Sequence, residues 1–277
     1  MRINLVSGDS AATEIRRIPY GACPLCSREE AVDIKEVDCS RHPSFKPGLP
    51  ATIRWIGCKT CGHIFTEGYL DEAALERLFS AAHSSQLLGA NTERDRPISG
   101  RIVERVSHLR GVLGGSWLDV GVGAGSLMTT AEEFGYETLG LDLRAETVQK
   151  LEELGYNARQ HGVEGLEGEE LFDVISMADV LEHMPFPAVV LQDVHRLLRP
   201  QGVVFLSMPN VDSFVWRHLE QAEQNPYWVE IEHFHNFSRE HLYWLLRKCG
   251  FEPIDYSVSE RYRAGMEVIA MRSADLQ

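Results

Sequence analysis

The sequence predicts an α/β fold, a mostly parallel sheet with helices on both faces, preceded by a small cysteine-rich module. Three observations carry this reading. A buried strand, a glycine turn and a helix follow one another without a break over residues 117–134. Apolar runs of strand length then alternate with amphipathic helical stretches as far as residue 271, the βαβα pattern of a parallel sheet. Ahead of these, two C-x-x-C pairs, Cys23–Cys26 and Cys58–Cys61, stand 31 residues apart.

The central stretch is Trp117-Leu118-Asp119-Val120-Gly121-Val122-Gly123-Ala124-Gly125. Trp117, Leu118 and Val120 suit a strand covered on both faces. The three glycines permit a tight turn and a close approach of backbone N–H groups to a ligand. A helical pattern follows through Leu127, Met128, Ala131 and Phe134, with Gly135 as its stop. Thr138 to Asp142 is a second buried strand ending in an acid, 21 residues after Gly121. A carboxylate there is placed to accept hydrogen bonds from ribose hydroxyls. The glycine spacing, G-x-G-x-G, departs from the G-x-G-x-x-G of dinucleotide sites.

This stretch resembles the first motif of class I S-adenosylmethionine (SAM)-dependent methyltransferases. The resemblance implies a Rossmann-like sheet of seven strands with the last antiparallel. It also implies a glycine loop (Gly121, Gly123, Gly125) under the methionine part of SAM, Asp119 near its amino group, and Asp142 with the adjacent Leu143 at the ribose. Leu171 to Met177 is the fourth strand. The following Asp179-Val180-Leu181-Glu182-His183-Met184-Pro185 resembles the fourth-strand motif of ubiquinone-type and sugar methyltransferases. On that likeness Met177 and Ala178 line the cofactor and His183 faces the methyl group or the acceptor; an isolated histidine with a structural role remains the alternative.

Composition bounds the rest. The chain has 277 residues, 44% hydrophobic and 25% charged, room for one large domain and one small one. Residues 1–90 hold 10 basic and 11 acidic side chains against 27 and 41 in the whole chain, so almost all of the net charge of −14 falls in residues 91–277. An acidic main domain argues against a nucleic-acid partner. No run of 18 apolar residues suggests a membrane span, and the N-terminus has no apolar signal core. The expected setting is the cytoplasm, where six cysteines serve as thiols or metal ligands rather than disulfides. Self-association stays open.

Residues 1–80 form the expected first domain. Each C-x-x-C pair places two thiolates on one tight turn, half of a tetrahedral site, and structural zinc suits Cys23, Cys26, Cys58 and Cys61. A redox dithiol pair is an alternative, and Cys39 and His42 are rival ligands. Between the pairs, Ala31 to Val37 alternates as a strand, Arg41 to Pro50 is a Pro/Gly-rich loop and Thr52 to Ile56 is a second strand. The knuckles, Cys61-Gly62-His63-Ile64-Phe65 and a helix from Asp71 to Phe79 resemble the zinc ribbon ahead of some bacterial sugar C-methyltransferases. The tyrosine that follows that helix in those relatives is missing from Phe79-Ser80-Ala81-Ala82-His83, which weakens the case for a sugar and leaves the expected acceptor as a small molecule, a secondary metabolite or a sugar-like compound. The relatives' further C-terminal domain has no counterpart before residue 277, which points the same way.

Residues 81–98 are the expected linker, with Ser99 capping a helix whose Ile102, Val103, Val106 and Leu109 share a face. In the main domain, 99–277, Ala145 to Leu154 is a helix, Asn157 to His161 a short strand and Glu164 to Glu170 a solvated acidic loop. Pro187 to Leu198 is an amphipathic helix, Val203 to Ser207 the fifth strand, and Pro209 to Ala222 part of a lid. Tyr227 to Ser238 packs Glu232, His233 and His235 among aromatics, and resembles the Glu-His-Phe-x-x-Phe-Ser segment that borders the acceptor in the sugar enzymes. The catalytic expectation is therefore His183 or His233 as base, Glu232 orienting the ring, and His235 nearby. A metal held by Glu232, His233 and His235 is a further reading. Ser238 caps a helix to Cys249, and Glu252–Val258 with Met266–Met271 closes the sheet as a hairpin. Functional alternatives are an O- or N-methyltransferase working by positioning alone, a SAM-binding adaptor without turnover, and an RNA methyltransferase.

Overall fold

The structure is a computed structural model, and it describes residues 17–79, 87–166 and 171–273. The expected substrate-side stretch Ser80–His83, most of the acidic loop and part of the linker lie outside these residues.

The cysteine-rich domain begins with β1 (Ile18–Pro19), β2 (Ala31–Asp38), β3 (Thr52–Cys58), β4 (Ile64–Thr66) and β5 (Gly68–Tyr69). β2 and β3 pair antiparallel, with Ala31 opposite Cys58 and Asp38 opposite Thr52, so the 31-residue gap between the cysteine pairs is a β-hairpin with a long tip. Helix α1 (Glu72–Phe79) starts where the Asp71 carboxylate accepts the Ala74 N–H at 2.8 Å, an N-cap. It buries Ala74 and Leu78 in the core formed by Ile53, Trp55 and Leu70.

The second domain opens with α2 (Thr92–Arg110), seven residues before the expected cap at Ser99. Pro97 lies inside this helix on an exposed face, so the carbonyl it leaves unpaired is open to water, which lowers the usual penalty of an internal proline. Ser99 is buried and its hydroxyl meets that of Ser126 at 3.4 Å. Next come β6 (Gly115–Val120), α3 (Ser126–Glu133), β7 (Tyr136–Leu141), α4 (Ala145–Glu153), β8 (Ala158–Arg159) and β9 (Phe172–Ala178). The chain continues through α5 (Pro187–Leu197), β10 (Leu198–Pro209), α6 (Phe214–Gln221), β11 (His235–Asn236), α7 (Arg239–Lys248), β12 (Phe251–Val258) and β13 (Gly265–Arg272).

Seven strands form one sheet in the order β12-β13-β10-β9-β6-β7-β8. β13 runs antiparallel to both neighbours, while the pairs among β10, β9, β6, β7 and β8 are parallel. The central strands β6, β9 and β10 bury Trp117, Ile175 and Phe205 completely, as expected for strands covered on both faces. The chain order reverses beside β6, between β7 and β9, and that crevice at the carboxyl ends of parallel strands is where such sheets take ligands.

The cysteine-rich sheet and the seven-stranded sheet share a core. Leu25 and Phe65 pack in one cluster with Ile175, Phe237 and Leu242. β11 is added as the fourth strand of the cysteine-rich sheet, with His235 opposite Phe65. Helix α6, expected in a lid, sends Trp216 into the cluster of Trp55 and Trp228.

Candidate functional site

At the carboxyl end of β6 the Trp117 indole donates to the Ser176 hydroxyl at 2.8 Å, and Ser176 donates to Asp119 Oδ1 at 2.5 Å. Asp119 is 2% exposed, and burial raises its carboxyl from 3.8 to about 6. The loop that follows holds Gly121 at φ 73° and Gly125 at φ 85°, left-handed backbone. A Cβ on Gly121 meets Val180 Cγ2 at 2.7 Å, and one on Gly125 meets Leu88 Cδ1 at 2.6 Å. The Gly123 N–H donates to Asp142 Oδ2 at 3.1 Å, which ties the loop to the tip of β7. Asp142 also accepts the Arg144 backbone N–H at 2.9 Å and its guanidinium at 2.8 and 2.7 Å. Arg144 carried no signal in the sequence. Leu143 is half exposed, and Met177 (buried) and Ala178 end β9 beside β6.

Past β9 the chain makes a tight turn. Asp179 takes φ 58°, a strained value for a residue with a side chain, and its N–H donates to the Ser207 carbonyl at 2.9 Å. Glu182 is 1% exposed; burial, then repulsion from Asp179, pushes its carboxyl well above the ordinary range. His183 Nδ1 lies 3.0 Å from the Glu232 backbone carbonyl. A carbonyl can only accept, so Nδ1 carries a proton, and in the neutral form of the ring the lone pair is then on Nε2. The His233 ring stands edge-on to His183, centroids 4.7 Å apart at 89°. Burial holds His233 well below the ordinary imidazole range, hence neutral. Its Nδ1, like Glu182 Oε2, has no hydrogen-bond partner among the described residues.

Glu182, His183 and His233 place one ligand atom each within 4.8 Å of one another, a set able to hold a divalent cation. Glu232 and His235, grouped with His233 in the sequence, are elsewhere. The Glu232 carboxylate accepts the Ser44 hydroxyl, so Glu232 meets His183 through its backbone and not its side chain. His235 Nε2 donates to the Pro185 carbonyl at 3.3 Å, leaving Nδ1 to accept from His63 Nε2 at 3.1 Å. Burial lowers His235 to about 4, so this pair is a neutral bridge between the domains. Ser176, Glu182, His63, Ser44 and Arg144 were missed by sequence reasoning. For Glu182 its place in the Asp179–Pro185 motif was an available signal; the others meet partners that no local pattern marks.

The four knuckle cysteines converge with all sulfurs within 4.8 Å. The Cys23–Cys61 and Cys26–Cys58 sulfur separations, 3.8 and 3.5 Å, fit the edges of a tetrahedron with metal–sulfur bonds of about 2.3 Å. Cys39 and His42 take no part. The Cys39 thiol donates to the Ala51 carbonyl at 2.9 Å and His42 Nε2 meets the Glu230 carboxylate at 2.9 Å.

A sheet of this order, with a glycine turn after β6 and an acid at the tip of β7, defines a nucleoside-cofactor fold of the methyltransferase type. Residues 91–256 match a family model described as a methyltransferase domain. The chain belongs to the class I SAM-dependent methyltransferase family. Among curated relatives it is 32% identical over 116 residues to a ubiquinone biosynthesis O-methyltransferase of Aliivibrio fischeri, covering 38% of this chain and 48% of that one. The corresponding enzyme of Pseudomonas paraeruginosa is 35% identical over 117 residues, covering 39% and 50%. The chain thus spans about half the length of the curated relatives it matches. Among solved structures, Burkholderia thailandensis 1,6-didemethyltoxoflavin-N1-methyltransferase superposes with TM-score 0.56 at 20% identity, over 78% of this chain and 98% of that one. Magnesium protoporphyrin IX methyltransferase of Synechocystis superposes with TM-score 0.51 at 19% identity, over 73% and 94%. No helix among the described residues is long and apolar enough to cross a membrane.

Proposed function

We propose that this protein transfers the methyl group of SAM to a small-molecule acceptor whose reacting atom must first lose a proton, foremost a hydroxyl. The observation that carries the reading is the His183–His233 pair, His233 buried and His183 half-buried, just past the carboxyl end of β9, next to the strand that carries the glycine loop. Asp119 takes the cofactor's ammonium and Asp142 its ribose, with Arg144 swinging away from Asp142 as the ribose arrives. Met177 and Ala178 at the end of β9 would line the bound cofactor, which would supply the methyl group on the side where His183 and His233 stand. Methyl transfer is an in-line displacement, so alignment supplies much of the acceleration, up to ~7–11 kcal/mol in favourable cases. His183 Nε2, unprotonated in the neutral ring, accepts the acceptor's proton. His233, held neutral by burial, shares the pocket without repelling that charge. His235 serves the domain bridge, and the Glu232 carboxylate holds the segment. The O-methyltransferase names of the curated relatives favour oxygen as the nucleophile. Structural zinc on Cys23, Cys26, Cys58 and Cys61 holds the ribbon, and the sulfur separations support it. The setting we propose is the cytoplasm.

A second reading makes Glu182, His183 and His233 ligands of a divalent cation. Glu182 Oε2 and His233 Nδ1, buried and without a hydrogen-bond partner among the described residues, favour it. Such an ion lowers the pKa of an acceptor hydroxyl.

The test is calorimetry with SAM and its demethylated product S-adenosylhomocysteine, followed by methyl transfer from labelled SAM to a panel of phenols, alcohols, ketones and amines. Micromolar binding and label on a hydroxyl support the reading; a folded, zinc-loaded protein that binds neither ligand sinks it. Turnover lost on dialysis against a chelator, with ribbon zinc intact, and restored by magnesium or manganese selects the second reading.

A further inference from the structure

We propose that the ribbon loop between β2 and β3 is part of the methyl-transfer site, with His42 and Ser44 as positioning residues for His183 and His233; the inference rests on the reading of that site given above. The loop exceeds what joining two knuckles requires, and its tip is built to hold a shape. The Cys39 N–H and thiol both reach the Ala51 carbonyl, at 2.7 and 2.9 Å, the His42 N–H donates to the Cys39 carbonyl at 2.9 Å, and the Phe45 N–H donates to the His42 carbonyl at 2.9 Å. Leu49 and Ser44 are buried, 5% and 4% exposed. A loop so anchored can place side chains as a helix or strand does.

From this loop two bonds cross to one short turn of the second domain. His42 Nε2 meets the Glu230 carboxylate at 2.9 Å, and the Ser44 hydroxyl donates to Glu232 Oε1, each pair 188 residues apart in sequence. Glu232 is 8% exposed, and a carboxylate so buried needs donors; the loop supplies one. The turn is closed by the His233 N–H donating to the Glu230 carbonyl at 3.1 Å. Its Glu232 carbonyl accepts the His183 Nδ1 proton at 3.0 Å, and the next side chain is His233 itself. The relay runs from the Ser44 hydroxyl to the Glu232 side chain, from the Glu232 carbonyl to His183, and along the backbone to His233. Loss of the loop bonds lets the turn shift, and with it the acceptor that fixes His183 with Nδ1 protonated and Nε2 bare.

The experiment uses full-length, zinc-loaded protein labelled with 15N-histidine and saturated with S-adenosylhomocysteine. Imidazole tautomers are read by long-range proton–nitrogen NMR, beside zinc content and ligand affinity. The wild type shows His183 as the single Nδ1–H tautomer. His42→Ala and Ser44→Ala turn that signal into a mixture while zinc and ligand affinity stay unchanged; His42→Gln and Ser44→Thr restore it. With an acceptor found by the panel above, turnover falls on the order of a hundredfold in the alanine variants without a change in SAM affinity. If the alanine variants lose zinc, Ser44→Val and His42→Phe fill the space, remove the bond and are read in the same way. Unchanged His183 and His233 signals in variants lacking both bonds overturn the proposal. Failure of the wild type to bind S-adenosylhomocysteine overturns the methyltransferase reading instead, and the tautomer comparison then runs on unliganded protein.

Discussion

Replacing Asp119 by asparagine separates stability from cofactor binding, with opposite signs. Burial raises the Asp119 carboxyl from 3.8 to about 6. At neutral pH the protein therefore holds an ionised, buried carboxylate at a cost of about 3 kcal/mol relative to the unfolded chain, since each tenfold change in proton affinity is worth about 1.36 kcal/mol. The folded pKa is the higher one, so the native state binds more protons between pH 3.8 and about 6 and stability falls as pH rises through that window. Above it the cost is constant. Asp119→Asn removes the charge and keeps an oxygen to accept the Ser176 hydroxyl, so unliganded protein at neutral pH becomes more stable, by at most about 3 kcal/mol. The same change deprives the SAM ammonium of its charged partner, a loss of about 1.5–3 kcal/mol, or ten- to a hundredfold in affinity. Wild-type affinity also falls about tenfold for each pH unit below the Asp119 value, and asparagine abolishes that dependence. Thermal melts without ligand and calorimetry across pH read both effects. A variant that melts lower than wild type and binds SAM with unchanged affinity refutes the assignment of Asp119 as the ammonium partner.

The other predictions are direct. On the proposed zinc reading, Cys58→Ser leaves three cysteine ligands, and metal content falls together with metal-linked folding energy on the order of 10 kcal/mol, seen as a lowered melt; wild-type protein without bound zinc refutes that reading. Gly125→Ala forces a side chain into φ 85° against Leu88, costing about 1–2 kcal/mol and weakening SAM binding in calorimetry. His183→Ala and His233→Ala keep SAM affinity but lower turnover, by on the order of 10²–10⁴ for whichever ring takes the proton. Full turnover in both variants excludes the histidines from the chemistry.

The parts legible in the sequence are those fixed by local rules. The glycine loop demands positive φ, the central strands demand apolar runs, and each C-x-x-C knuckle is a short repeated motif, so each announced itself in a local pattern. Residues 230–236 were harder. The crowding of Glu232, His233 and His235 among aromatics in one short stretch suggested a single pocket. The segment instead turns at Glu230–His233 and regains strand pairing only at His235–Asn236, so His233 faces His183 while His235 faces His63. His42 and Ser44 gave no local sign because their partners lie 188 residues away. The start of α2 was misplaced because residues 81–98 read as a linker with Ser99 as the cap; Pro97, on an exposed face, costs the helix less.

Residues 226–238 bond both to the cysteine-rich sheet and to the turn after β9, and this is what makes the cysteine-rich part more than an appendage. The Trp55 indole donates to the Trp228 carbonyl at 2.8 Å, and the Thr66 N–H donates to the Phe234 carbonyl at 3.0 Å, both from the ribbon side. On the other side the Phe234 N–H donates to the Glu182 carbonyl at 2.9 Å and the Val211 N–H to the Phe237 carbonyl at 3.0 Å. Phe234 thus spends its two backbone groups on opposite domains, directly after His233. The cysteine cluster is joined to the same place, because the Cys61 carbonyl accepts from His241 Nε2 at 2.6 Å at the start of α7. A displacement of β4 therefore moves His233 relative to Glu182 unless these bonds break, and buried backbone groups cannot lose partners without a penalty of about 1–3 kcal/mol each. Holding the knuckles in place and holding the histidines in place are, for this chain, a single structural requirement.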